Sequence, residues 1–132
     1  MKTLILYEED DFSHEADLAQ KILDELSPIL HLENKFIEVN LVGDETMKTN
    51  VHSYEAKSGV PRPDIYPAEN LGEVYLNPKQ IKERGEDFSF MLIHGLLHLL
   101  GYDHLKDDDR IKMERQEQFL LSQLSWLIIP NI

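Results

Sequence analysis

The chain has 132 residues, no cysteine and a formal net charge of −12. This length suits one domain with a hydrophobic core and is short for two, so we predict a single domain over residues 1–132. Hydrophobic residues make up 42% and charged residues 29%, which excludes the low-hydrophobicity disordered class. Without cysteine there is no disulfide and no thiolate ligand, so a transition-metal site must use imidazole and carboxylate groups.

The charge is distributed unevenly along the chain. Residues 48–84 carry six basic and five acidic side chains, a net charge of +1, whereas the remainder carries −13. Because nucleic-acid binding depends on lysine and arginine, an anion-facing surface is expected in the middle segment; the alternative is chance fluctuation on a solvated acidic surface. We expect the cytoplasm as the location, since the sequence shows neither a signal-like N-terminus nor a membrane-length apolar run.

Alternation of apolar and polar residues predicts three strands, over residues 3–7, 36–42 and 73–76. Capping residues and apolar spacing predict five helices: one capped by Ser13 that ends before Pro28, one opened by Gly43 and Asp44, one from Asn77 to Gly85, one from Asp87 to Gly101, and one from about Asp107. Residues 58–70 contain three prolines, which favour a looped or extended edge segment. Irregular mixing of these elements predicts an α+β fold with a small mixed sheet of about four strands and about five helices.

Two of the helices have informative apolar patterns. The helix between Asp87 and Gly101 is apolar nearly all round, so we expect it to be the buried central helix. The last helix starts in an acidic run, which favours a helix N-terminus. It is expected to bury Met113, Leu120, Leu124 and Leu127.

Two histidines on the central helix and one just after it form a candidate metal site. His94 and His98 are four residues apart, so their imidazoles leave one helix face about one turn apart. Gly101 permits the left-handed turn that returns His104 towards them. The alternative of three unrelated histidines explains neither the spacing nor the glycine. We therefore predict one zinc ion with an open fourth position, with iron, nickel or manganese as alternatives, and Asp103 or a backbone carbonyl orienting a ligand.

This pattern overlaps the His-Glu-x-x-His-x-x-Gly-x-x-His signature of zinc peptidases. Gly95 stands at the position of the glutamate that activates water in those enzymes. Peptidase activity is therefore disfavoured, although a metal-dependent hydrolase is still indicated.

Residues 93–117, IHGLLHLLGYDHLKDDDRIKMERQE, closely resemble the YbeY family of single-strand endoribonucleases, which act in ribosomal RNA maturation. The His-Gly-x-x-His-Leu-x-Gly-Tyr-Asp-His motif, the acidic run after it and the Met-Glu-x-x-Glu element carry the resemblance, and residues 71–74 look like the family's Leu-Gly-Asp-Ile strand. The resemblance implies a zincin-like central helix, one zinc ion held by the three histidines, single-stranded and ribosomal RNA as substrates, and association with the ribosome.

One segment departs from the family pattern. Alignment of Tyr54 and Pro67 with the family's motifs puts Glu55 at the position of an arginine that the resemblance links to phosphate handling. Arg62 is the candidate to replace that arginine in space. The alternative function is a ribosome-assembly or protein-binding factor with a mainly structural metal and weak or lost nuclease activity. Neither hypothesis fixes an oligomeric state.

Overall fold

Four strands and four α-helices make up the part of the chain that the structure, a computed structural model, describes: residues 1–57 and 59–124. The strands are β1 (Lys2–Tyr7), β2 (Lys35–Leu41), β3 (Val51–Glu55) and β4 (Glu69–Leu76). The helices are α1 (Ser13–Leu30), α2 (Pro78–Glu83), α3 (Phe88–Leu99) and α4 (Asp107–Gln123), and a short 3-10 turn at Asp10–Phe12 precedes α1. No helix within these ranges is both long and apolar enough to cross a membrane.

The strands form one mixed sheet in the order β1-β2-β4-β3. β1, β2 and β4 are parallel, whereas β3 runs antiparallel to β4 at the edge. The helices α1 and α3 contact each other, α1 packs on β1, and α3 packs on β3 and β4. Both helices therefore cover one face of the sheet, and the predicted α+β class is confirmed.

The core lies between this sheet face and the helices. Ile37, Val39 and Val74 point into it and are fully buried. Eight of the twelve residues of α3 are buried, as predicted for the central helix. The apolar sequence of α3 follows from this position, because the helix meets the sheet on one side and other helices on its flanks.

The helix predicted at Gly43 and Asp44 is wrong, and a turn stands in its place. Leu41 and Val51 both pair with Leu76, so the connection only has to step across the end of β4, a distance of roughly 10 Å between the outer strands. The Asp44 carboxylate is used in tertiary contacts instead of a helix cap. It accepts hydrogen bonds from the side chains of Asn77 and Gln80 at 2.9 and 3.0 Å.

Other element boundaries differ from the predictions by smaller amounts. Ser13 is the first residue of α1 and not its cap, and the helix continues past Pro28 to Leu30. Pro28 has no amide to donate to the Asp24 carbonyl, so it costs one helical hydrogen bond, and the helix ends only two residues later. β3 was not predicted, and β4 begins four residues earlier than expected. Met113, Leu120 and Leu124 are buried as predicted, whereas Leu127 lies outside the described residues.

Candidate metal centre

The helix α3 positions the first two histidines of the candidate site. The Asp87 carboxylate accepts a hydrogen bond from the amide of Phe90 at 3.2 Å and caps the helix as predicted. One turn of helix separates His94 from His98, and their Nε2 atoms lie 3.2 Å apart. Both side chains are partly buried, so each imidazole keeps one edge towards an open cleft.

A left-handed turn at Gly101 brings in the third histidine. Gly101 has φ +95°, a conformation that other residues rarely adopt. Its amide donates to the His98 carbonyl at 3.1 Å, and the amide of Tyr102 donates to the Leu97 carbonyl at 3.0 Å. This pair of hydrogen bonds is the Schellman motif that ends many helices. The chain then reverses, and the His104 ring centroid lies 5.2 Å from that of His98.

The three imidazoles fit a transition-metal ion. Each offers a ring nitrogen, and these atoms lie within 4.8 Å of one another. Two nitrogens bound to one tetrahedral zinc ion at about 2.0–2.1 Å are roughly 3.3 Å apart. The 3.2 Å separation between His94 and His98 matches that spacing. The cluster can hold a metal ion, and the choice of zinc stays a prediction.

Glu117 on α4 orients His94. Its Oε2 lies 2.8 Å from His94 Nδ1, and the residue is only 4% exposed. When Nδ1–H donates to this carboxylate, Nε2 carries the lone pair that faces His98. The predicted orienting residue, Asp103, accepts a hydrogen bond from the amide of Leu105 at 3.2 Å, so its described contact is a local turn.

The sequence contained a signal for Glu117 that the prediction did not use. The buried positions of α4 are 113, 117 and 120, and residue 124 directly after the helix is buried as well; they follow the three- and four-residue spacing of one helix face. A glutamate in this apolar stripe requires a buried hydrogen-bonding partner. The histidine cluster supplies that partner.

The environment of His98 favours the neutral imidazole. Burial lowers the pKa of His98 below its ordinary value, and the neighbouring imidazoles of His94 and His104 lower this pKa further. The backbone hydrogen bond at Tyr102 acts in the opposite direction. Because a metal binds the unprotonated nitrogen, this environment prepares His98 to act as a ligand.

Gly95 lies against the sheet and not in the cleft. A Cβ atom on this residue would stand 2.7 Å from Val74 Cγ1 and 3.2 Å from the hydroxyl oxygen of Ser53. The Ser53 hydroxyl also donates to the Gly95 carbonyl at 2.9 Å. A glutamate has no room at this position, which removes the peptidase hypothesis on packing grounds as well as chemical ones.

The cleft beside the histidines has a volume of about 900 Å³, a size suited to a substrate. Its walls come from β3, α3, the turn after α3, and α4. Glu55, at the end of β3, lines the cleft, and Arg110 of α4 also lines it. Arg110 was not singled out from the sequence, because an arginine in an acidic helix gives no spacing signal.

Arg62 is not brought to this cleft. It lines a second cleft of about 690 Å³ and makes two hydrogen bonds to the Asp64 carboxylate, at 2.9 and 3.0 Å. Its guanidinium carbon is 5.4 Å from the centre of the Phe36 ring. Because Ile37 points into the core, its neighbour Phe36 faces the opposite side of the sheet from α3. The catalytic role of Arg62 stays a prediction without a described contact to the histidines.

Comparisons with known proteins agree with this fold and this motif. The family model described as Endoribonuclease YbeY matches residues 7–125. Endoribonuclease YbeY of Francisella tularensis subsp. novicida is 30% identical over 82% of this chain and 79% of its own. Endoribonuclease YbeY of Thermodesulfovibrio yellowstonii is 36% identical over 67% of this chain and 66% of its own.

A solved structure supports the fold. The solution structure of TM1509 from Thermotoga maritima aligns with a TM-score of 0.58 and 22% identity, over 97% of this chain and 93% of that chain. The family match spans both the sheet and the helices that carry the histidine motif. The chain therefore belongs to the YbeY family.

Proposed function

We propose that this protein is a metal-dependent endoribonuclease that hydrolyses phosphodiester bonds of single-stranded RNA during ribosomal RNA maturation. The observation that carries this proposal is the convergence of His94, His98 and His104 in the lining of an open cleft. Family membership supplies the reaction class, since the named relatives are endoribonucleases. Zinc is the proposed ion, because the donor set is three imidazoles without thiolate or clustered carboxylate ligands.

The protein's own groups prepare the site in two ways. The Glu117 carboxylate fixes the ring orientation of His94, and burial lowers the pKa of His98, which favours its neutral form. A zinc ion bound there would supply Lewis-acid stabilisation of phosphoryl charge and lower the pKa of water to about 7. Hydrolysis adds water across one phosphodiester bond, so the reaction requires no other cofactor.

An exposed pair of aromatic rings on β3, a strand that borders the cleft, supports a single-stranded substrate. The rings of His52 and Tyr54 are stacked, with centroids 5.6 Å apart and planes 13° apart. Both side chains are exposed on the edge strand β3. They lie on the sheet face opposite Ser53, whose hydroxyl contacts α3, so an RNA strand stacked on them would pass over the sheet edge to reach the histidines. Unpaired bases stack on such rings, whereas paired bases are held inside a duplex. We also propose the cytoplasm and the ribosome as the place of action.

The acidic wall at Glu55 favours a second candidate function. A carboxylate lining the cleft repels phosphate, which would slow catalysis in a site that still holds its metal. A ribosome-assembly factor with a mainly structural metal and weak or lost nuclease activity would have this property. The two functions differ in whether the bound RNA is cut.

The test incubates zinc-loaded protein with structured ribosomal RNA and follows cleavage by gel electrophoresis. His98→Ala removes a central ligand, and we expect it to abolish cleavage because two imidazoles bind the ion much more weakly than three. His14→Ala is the matched control, since His14 is exposed on α1 and is not part of the cluster. A chelator should abolish wild-type cleavage, and added zinc should restore it.

Each result separates the hypotheses. Equal cleavage by the wild type and His98→Ala would reveal a contaminating nuclease and defeat the enzyme proposal. Retained RNA binding with no cleavage by the zinc-loaded wild type would favour the assembly factor. Circular dichroism of His98→Ala should match the wild type, so that loss of activity is not loss of fold.

A further inference from the structure

The histidine cleft contains few positive groups for a polyanionic substrate. Among the described residues that line it, Arg110 is the one lysine or arginine. The other charged lining residues are all carboxylates: Glu55, Glu86, Asp103, Glu114 and Glu117. Because RNA brings a negative phosphate with each nucleotide, this surface opposes substrate binding except at the metal and at Arg110.

Arg110 is held in place by weak, exposed contacts. Its Nη1 lies 3.3 Å from the Glu114 carboxylate, and its Nη2 lies 3.8 Å from that of Asp107. The Arg110 side chain is 48% exposed, and the side chains of Glu114 and Asp107 are 58% and 94% exposed. Ion pairs in water contribute little to stability, so the guanidinium can leave these partners at low cost.

The position of Arg110 suits a role in phosphate binding. It lies in the first turn of α4, four residues before Glu114 and seven before Glu117, which contacts His94. A guanidinium has five N–H donors arranged as a fork that matches phosphate oxygens, and it stays protonated at all working pH values. The same helix thus carries both the carboxylate that orients a histidine and a cation facing the cleft.

We propose that Arg110 binds a phosphate of the RNA substrate next to the histidine cluster. This inference rests on the proposed function. The positive side chain of the cleft wall then comes from α4, whereas the side chain that β3 contributes at Glu55 is negative. Glu114 acts as a competitor, since its carboxylate occupies Arg110 until a phosphate arrives.

The experiment measures RNA binding separately from cleavage. Zinc-loaded full-length protein is titrated into a fluorescein-labelled single-stranded RNA whose 2′-hydroxyls are methylated, and anisotropy gives the Kd. We expect Arg110→Gln to weaken binding about tenfold, the loss of one charge-assisted hydrogen bond. The slope of log Kd against log salt concentration should fall by about 0.7, the value for one phosphate contact on a single strand.

Two neighbouring variants provide controls of opposite kinds. Arg115→Gln removes an equal charge from an exposed position of α4 that is outside the described lining of the cleft, and it should bind RNA nearly as the wild type does. Glu114→Gln should bind RNA more tightly than the wild type, because it removes a repulsive charge and frees Arg110. The zinc affinity of Arg110→Gln should equal that of the wild type.

The inference is overturned if Arg110→Gln binds RNA as tightly as the wild type, or loses no more affinity than Arg115→Gln. Parallel loss of zinc affinity would also overturn it, since Arg110 would then support the metal site and not the phosphate. Cleavage of unmodified RNA by the wild type distinguishes the two proposals. A wild type that binds but does not cut defeats the nuclease and leaves the binding comparison valid, whereas a wild type that binds no RNA overturns both.

Discussion

Glu117→Gln separates the stability of the fold from the quality of the metal site. Glutamine has nearly the same volume, and its amide oxygen still accepts a hydrogen bond from His94 Nδ1, so only the negative charge is lost. The buried Glu117 carboxylate has given up water, and its described partner is one imidazole nitrogen, which a glutamine at this position would keep. We therefore expect the metal-free variant to be as thermally stable as the wild type or slightly more stable.

Glu117→Gln is expected to weaken the binding of zinc. A hydrogen bond to a charged group contributes about 1.5–3 kcal/mol and a neutral one about 0.5–1.5 kcal/mol, so the difference is roughly 1–1.5 kcal/mol. This corresponds to about tenfold weaker zinc binding, within the range of about 10- to 100-fold for groups that orient metal ligands. At saturating zinc, the stabilisation by the metal should fall by about 1.4 kcal/mol.

Competition with a chromophoric chelator gives the zinc Kd, and thermal unfolding with and without zinc gives both stabilities. Glu114→Gln is the matched control, because Glu114 lies on the same helix but is more than half exposed. It should keep the wild-type zinc affinity. The reasoning about Glu117 is refuted if Glu117→Gln binds zinc as tightly as the wild type, or if its metal-free form unfolds at a clearly lower temperature.

Three further predictions concern other parts of the structure. Gly95→Ala places a methyl group 2.7 Å from Val74 Cγ1. Overpacking costs about 1–3 kcal/mol and the gain in helix propensity is about 1 kcal/mol, so urea unfolding should show a net loss of stability of about 1 kcal/mol. A more stable variant would contradict the packing argument. Arg62→Ala should leave RNA cleavage unchanged, because Arg62 lies in the second cleft; a large fall in kcat would support the catalytic role instead. Hydrogen bonds from the Thr46 hydroxyl, the larger cause, and from the Gly43 amide lower the pKa of Glu8 below its ordinary value near 4.5. The ionised side chain therefore stabilises the fold above that pH, and this contribution disappears as the pH falls through the lowered pKa. Thermal unfolding should therefore show Glu8→Gln less stable than the wild type at pH 7 and equal to it in strong acid, and a constant difference across that range would refute this.

The parts of the site that depend on local spacing could be predicted from the sequence. The four-residue separation of His94 and His98, and the glycine that reverses the chain before His104, are properties of one helix and its end. The Asp87 cap and the buried character of α3 are local as well. These features needed no knowledge of distant partners, and the structure brings the three imidazoles together.

The parts that failed depend on contacts between distant segments. Asp44 looks like a helix cap by itself, yet its carboxylate binds Asn77, 33 residues away. β3 is only five residues long, so it has too few positions for a clear strand pattern. It is stabilised by pairing with β4, which is distant in the sequence. Glu117 acquires its role only when α4 docks on α3: the spacing along α4 indicates that this glutamate is buried, but its partner His94 lies on another helix.

The contact between Glu117 and His94 joins α4 to α3, so occupancy of the histidine cluster is coupled to the attachment of α4. An ion that binds the docked arrangement adds to the free energy of local opening. Removal of the metal should therefore accelerate deuterium exchange in α4 more than in α1, which packs on β1. Through this coupling, the concentration of free metal would determine the fraction of time for which α4, and with it Arg110, is docked beside the cleft.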